Sequence, residues 1–303
     1  MRRVVRTGSR FLGRLDESRL THLATIRGLD PVADNAAIHR LTTLFEFPFE
    51  WQVSLQLAFF RTYGVPSIGG LLGRTGHIVA DPVARAEDTG LMIAEMVEHG
   101  LDDPRARHVL RSMNKMHRRW EISNDDYVYV LGSLLIVPLR HIERYGWRPL
   151  DPAEREAAYH FWREVGEHMA IKEIPGSLAE FEDWFDAYEA EHFAPTPAAA
   201  RLIGASSQLI VDRFPSWAAP LARQMLPSLM DPPMRRALGV ATPPRLAAFA
   251  VRRGLRLRAR VVATMSPRAE SSFTPGGEMK SHPTGYKLED LGARPSAEAT
   301  VGE

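Results

Sequence analysis

The chain has 303 residues, with 38 basic and 37 acidic side chains and a net charge of +1. That is long enough for one large domain and too balanced in charge for nucleic-acid binding to be its main business. There is no cysteine, which excludes disulfides, thiolate-ligated haem, iron–sulfur clusters and zinc–thiolate sites, so any metal must rest on His, carboxylate or Tyr.

The N-terminal stretch MRRVVRTGSRFLGRLDESRL is basic, with no continuous apolar run behind it. Residues 1–30 therefore read as a surface-seeking segment rather than a secretory signal. Residues 33–62 carry apolar positions at helical spacing, broken at Pro48. The stretch GVPSIGGLLGRTG over 64–76 holds five glycines and a proline and is expected to be a loop. Asp81-Pro82, Asp103-Pro104 and Asp151-Pro152 each offer an N-cap acid followed by a proline at the first helical position, where its missing N–H costs nothing. They start helices over 82–99, 104–120 and from 152 through Met169. Ser123-Asn124-Asp125 caps another that ends at Tyr145-Gly146, with a kink expected at Pro138. Ser177 and Glu180 form a capping box for 178–193. The longest apolar run, 127–139, is 13 residues, too short for a transmembrane helix, and reads as buried. Residues 197–260 hold two or three helices separated by prolines. Within them, 248–262 interleaves apolar residues with arginines, the pattern of a solvated charged face or of a helix facing acidic lipid. From about Pro267 the chain is polar and rich in Ser, Pro, Gly and Glu, so 263–303 is expected to be a disordered tail. No strand alternation and no repeat stands out. The expected class is all-α, with one helical domain over 31–262 enclosing a pocket.

His117, in RSMNKMHRRW, borders the apolar stripe of Val109, Met113, Met116 and Trp120. An imidazole there is either a core histidine bonded to a backbone carbonyl or a metal ligand packed by soft apolar neighbours. Arg85 and Thr89 stand one turn apart on the helix before it. They are a surface arginine beside a helix-interior threonine, or a cation and a hydroxyl directed at an anionic or oxygen-derived group. The short connection over 100–103 makes the two helices an antiparallel pair. His168, in VGEHMAI, is the runner-up ligand, with Glu164 one turn earlier as its alternative partner. A di-iron carboxylate bundle needs Glu-x-x-His on two helices, and one copy, Glu189–His192, stands here. The H-E-x-x-H, P-loop, G-x-S-x-G and G-x-G-x-x-G patterns are absent.

In order, DPVARAEDTG, NKMHRRW, NDDYVYVLGSLL, YGWRPLDPAE, FWREVGEHMAIKEIP and SLAEFEDWFDAYE resemble the catalytic domain of the rubber oxygenase/MpaB family, closer to the MpaB branch. The resemblance implies a globin-like helical bundle around haem b and dioxygen-dependent cleavage of isoprenoid double bonds. It places the proximal iron ligand on His117 and the catalytic distal pair on Arg85 and Thr89; by their residue types and helix positions, Met113 and Met116 beside His117, together with Arg85, are the expected cofactor-binding residues. The rubber-cleaving members have a lysine just before that threonine and an arginine four residues after the histidine, where this chain has Asp88 and Glu121. Their distal glutamate has no counterpart over 67–71. The expected substrate is therefore a small prenylated or lipid-like molecule rather than polyisoprene, with dioxygen as co-substrate. The expected location is cytoplasmic, with peripheral membrane contact. Two alternatives remain open, a non-catalytic haem-binding protein and a membrane-peripheral helical module without haem.

Overall fold

The structure, a computed structural model, describes residues 17–211, 216 and 219–292. Within these residues every regular element is helical. Short helices α1 (Thr21–Arg27) and α2 (Asn35–Arg40) lead through a π-helical turn at Leu41–Glu46 into α3 (Pro48–Thr62), α4 (Pro66–Thr75) and α5 (His77–Ala80). The middle of the chain forms α6 (Pro82–His99), α7 (Pro104–His117), α8 (Asn124–Tyr145), α9 (Pro152–His168) and α10 (Leu178–His192). Then follow α11 (Pro197–Val211), α12 (Ala219–Leu229), α13 (Pro232–Leu238) and α14 (Arg245–Val262).

Capping chemistry sets most of these boundaries. The Asp81, Asp103, Asp151 and Asp231 carboxylates accept from Ala84, Arg105, Ala153 and Met234 N–H, each with Pro at the start of the helix, so orphan donors are satisfied locally. Ser177 Oγ accepts from Glu180 N–H as expected, but the Glu180 carboxylate takes the N–H of Gly176 at 3.0 Å. Helix α7 stops at His117, leaving Trp120 outside it and 44% exposed. The apolar stripe read from sequence thus ends one turn early.

The expected buried helix is the centre of the fold. α8 packs against α3, α9, α10 and α14, which is why its sequence is apolar around most of its circumference. Gly132 makes one of these approaches close, because a Cβ there would lie 2.7 Å from the Phe181 ring. Beside this core lies a dry ionic cluster. Arg148 donates from Nη1 and Nη2 to Glu154 at 2.6 and 2.8 Å and from Nε to Glu46 at 3.0 Å, and Arg19 adds a second cation on Glu46.

Two expectations are corrected. Residues 66–75 are helical, not a loop. Pro66 starts that helix without needing an N–H, and burial of Ile68 holds it. The disorder expected from 263 does not apply to 263–292, which return across the body as a strap. Tyr286 and Leu291 enter the core, and Ser272 N–H bonds Leu44 O at 3.1 Å. The polar composition misled because most of these contacts are hydrogen bonds rather than apolar burial. Residues 293–303 lie outside the described residues, as do 1–16 of the basic segment. Residues 17–30, by contrast, contribute Leu23, Ile26 and Arg19 to the interior.

Candidate active site

Helices α6 and α7 pack on each other across the connection at 100–103, and this hairpin brings Arg85 and His117 into one electrostatic environment. The His117 imidazole makes no hydrogen bond among the described residues, and its Nδ1 is enclosed. Tyr127 of α8 packs edge-on to the ring, with centroids 5.7 Å apart. Burial lowers the His117 pKa, and the nearby Arg85 charge lowers it further. Both act against protonation, so the ring is neutral at pH 7 with an unengaged lone pair.

Arg85 Nη1 donates to Thr89 Oγ1, and that hydroxyl donates to the Arg85 carbonyl at 2.9 Å. The threonine therefore steers the guanidinium. No carboxylate forms an ion pair with Arg85 among the described residues. Burial pulls its pKa down, offset in part by Tyr63 and Asp88, yet an arginine remains a cation. The guanidinium carbon lies 5.7 Å from the Phe59 ring centre. Tyr63, fully buried, shares a hydrogen bond of 3.1 Å with Ser206 Oγ, and burial raises its pKa. Phe59 in α3 and Tyr63 just past its end were not legible as site residues, because nothing local marks them.

Met113 and Met116 are half-buried against the core beside His117. Met116 also meets the strap. Gly292 has φ of +116° and approaches so closely that a Cβ there would lie 2.6 Å from the Met116 sulfur. Asp88 anchors this crossing. Its Oδ1 accepts from His282 Nε2 at 2.9 Å and its Oδ2 from Gly292 N–H at 3.0 Å. The acid that departs from the rubber-cleaving pattern therefore has a structural task here. Glu121 is exposed beyond the end of α7.

The other candidates stand apart from this arrangement. His168 is exposed at the end of α9. Glu164, its expected partner, accepts instead from Asn35 Nδ2 at 2.9 Å. Glu189 is held by Arg61 and by Tyr129 OH at 2.9 Å, while His192 Nδ1 meets the Tyr188 carbonyl at 3.0 Å. The lone Glu-x-x-His is thus committed to packing and ion pairing. Among the described residues no three His, Asp or Glu side chains converge as a metal-binding group. A metal brought by a macrocycle needs one protein ligand rather than three, and the chemistry of a neutral imidazole without a partner among the described residues fits that requirement.

Residues 65–263 match the family described as ER-bound oxygenase mpaB/B'/Rubber oxygenase, catalytic domain. The chain belongs to this family. Among relatives of this oxygenase family, the ER-bound oxygenase mpaB of Penicillium brevicompactum is 31% identical over 224 residues, 65% of this chain and 57% of its own length. The mpaB' protein of the same organism is 29% identical over 211 residues, 64% of this chain and 50% of its own. The mpaB protein of Penicillium roqueforti (strain FM164) is 28% identical over 219 residues, covering 66% and 74%. The chain thus spans about half the length of the first two relatives.

Proposed function

We propose that this chain is a haem b-dependent oxygenase that cleaves or oxidises a double bond of a prenylated or lipid-like substrate with dioxygen. One observation carries the haem assignment. Among the described residues His117 presents a neutral imidazole with no hydrogen-bond partner, close to an arginine that forms no ion pair, within a chain of the oxygenase family.

When bound, haem supplies the dioxygen chemistry. Cleavage of one C=C bond consumes one dioxygen and yields two carbonyl groups. The residues of this chain do the rest. His117 would hold the iron through its lone pair from the end of α7, and Met113 and Met116 on the same helix would supply soft apolar packing. Arg85, oriented by Thr89, provides a fixed positive charge for a carboxylate of the cofactor or for negative charge that develops during reaction. The strap held by Asp88 closes over the hairpin and limits water. The naming of the relatives as ER-bound oxygenases leads us to place this chain at a membrane surface as well. Among the described residues no helix is long and apolar enough to cross a membrane.

The visible spectrum of haem-reconstituted protein tests the reading. Wild type should show a Soret band and His117→Ala should lose it or shift it strongly. Incubation with prenylated substrate should consume oxygen and give carbonyl products. A haem-replete wild type without a Soret band overturns the assignment. A band unchanged in His117→Ala moves the ligand elsewhere.

A further inference from the structure

Helix α14 carries a face that no other described residue covers. Its inner side seats Ala248 and Ala259, with Val251, Leu255 and Val262 half-buried, and it packs against α12 and α8. At 3.6 residues per turn, Leu246, Leu257 and Val261 point the opposite way. They are 84%, 60% and 53% exposed, and Phe249 and Met265 beside them are 67% and 57% exposed. Few large apolar side chains elsewhere in the described residues are as bare.

The charge beside this strip is one-sided. From Pro232 to Ala269 there are nine arginines and no acidic residue. Among the described residues one of those on α14 has an ion-pair partner. Arg258 pairs with Glu50 and lies 3.8 Å over the Phe49 ring. Among the described residues Arg245, Arg252, Arg253, Arg256 and Arg260 have no ion-pair partner. Four of these, with Arg235, line an open groove of about 430 Å³ between α13 and the first half of α14. Arg235 is held there by donating to the Pro227 carbonyl at 3.2 Å and to the Met230 carbonyl.

We infer that α14 is a membrane-docking helix. Leu246, Phe249, Leu257 and Val261 enter the headgroup–acyl boundary while the arginine groove takes phosphate groups of anionic phospholipid. An arginine-rich face beside an exposed Leu/Phe/Val strip is the arrangement that an anionic bilayer surface satisfies on both counts. A nucleic acid or an acidic peptide would match the charge and leave the aliphatic strip wet. The inference gives a physical surface to the membrane association proposed above. It stands independently of the haem, because vesicle binding needs neither cofactor nor turnover.

The test is co-sedimentation of the full chain with phosphatidylcholine vesicles, with and without phosphatidylserine. Wild type should prefer the anionic vesicles and lose binding as salt rises. Each arginine near an anionic surface is worth about 5-fold in partitioning, so Arg252→Ala with Arg256→Ala should reduce anionic-vesicle binding roughly 30-fold. Phe249→Ser with Leu257→Ser should cost at least about 10-fold while far-UV circular dichroism stays unchanged. With no native cysteine, Ala250→Cys carries a single environment-sensitive dye, whose emission should move to the blue on anionic vesicles. Equal binding by all variants, or binding without an emission change, overturns the proposal. So does displacement by duplex DNA with the Ser variant binding like wild type, which would assign the face to an acidic macromolecule.

Discussion

Replacing Arg148 by methionine should remove a large part of the protein's stability. The guanidinium is fully buried and bridges two carboxylates that are also fully buried. After Arg148→Met, Arg19 still meets Glu46 at 3.2 Å. Glu154 keeps only neutral donors, the Thr42 hydroxyl at 3.0 Å and the Asp151 N–H at 2.7 Å. The cluster passes from two cations and two anions to one cation and two anions, and both carboxylates are fully buried, out of contact with the bulk solvent that would screen the excess charge. Leaving a buried ion without its partner costs about 3–5 kcal/mol, a substantial share of a domain stability of roughly 5–15 kcal/mol. The half-exposed pair Arg163–Glu167 is an internal control, since breaking it should cost no more than about 1 kcal/mol. Urea unfolding followed by circular dichroism, with the m-value held equal, measures both. If Arg148→Met costs no more than Arg163→Met, the argument from uncompensated burial is wrong.

Acid should destabilise the fold through His39, which is buried with neither ring nitrogen bonded among the described residues and has its pKa lowered by burial to about 3 from 6.5. Between those values the unfolded chain holds a proton that the folded chain lacks, so stability falls as pH falls through that window. His39→Leu should remove on the order of 1.4 kcal/mol per pH unit of that slope, and an unchanged acid limb in urea titrations would refute the assignment. Arg85→Leu should raise the His117 pKa in haem-free protein yet leave it below the ordinary histidine value, because burial is the larger cause; an unmoved imidazole titration by NMR would place the arginine's charge elsewhere. Removing the strap anchor with Asp88→Ala or His282→Ala should cost about 1–3 kcal/mol locally. Hydrogen exchange should accelerate over residues 281–292 in either variant, and unchanged exchange there would show that Asp88 does not hold the strap.

Much of the candidate site was legible as residues but not as a site. Arg85 and Thr89 share a face by helix arithmetic alone, and the Arg85–Thr89 hydrogen bond follows from that spacing. The state of His117 was not readable in the same way. Its neutrality depends on enclosure by Tyr127 and on a charge from another helix, and an equally placed histidine could have bonded a carbonyl. His168 carried a similar local signal and turned out to be exposed. Composition failed most clearly at the strap, where polar residues hold place through hydrogen bonds to Glu87, Asp88 and Glu95 of α6.

The all-helical class and the start of nearly every central helix were already readable in the residue order. Those depend on groups a few residues apart, such as the Asp103 carboxylate that accepts the Arg105 N–H at 2.7 Å. So were the arginine bias of 232–269 and the absence of thiol chemistry. Packing between distant elements settled which arginines meet internal partners, that the His117 ring stays unbonded among the described residues, and where the chain after Val262 goes. The His282–Asp88 contact joins residues 194 positions apart. No local propensity encodes such a pairing, because its free energy exists only after the intervening helices have packed and excluded water.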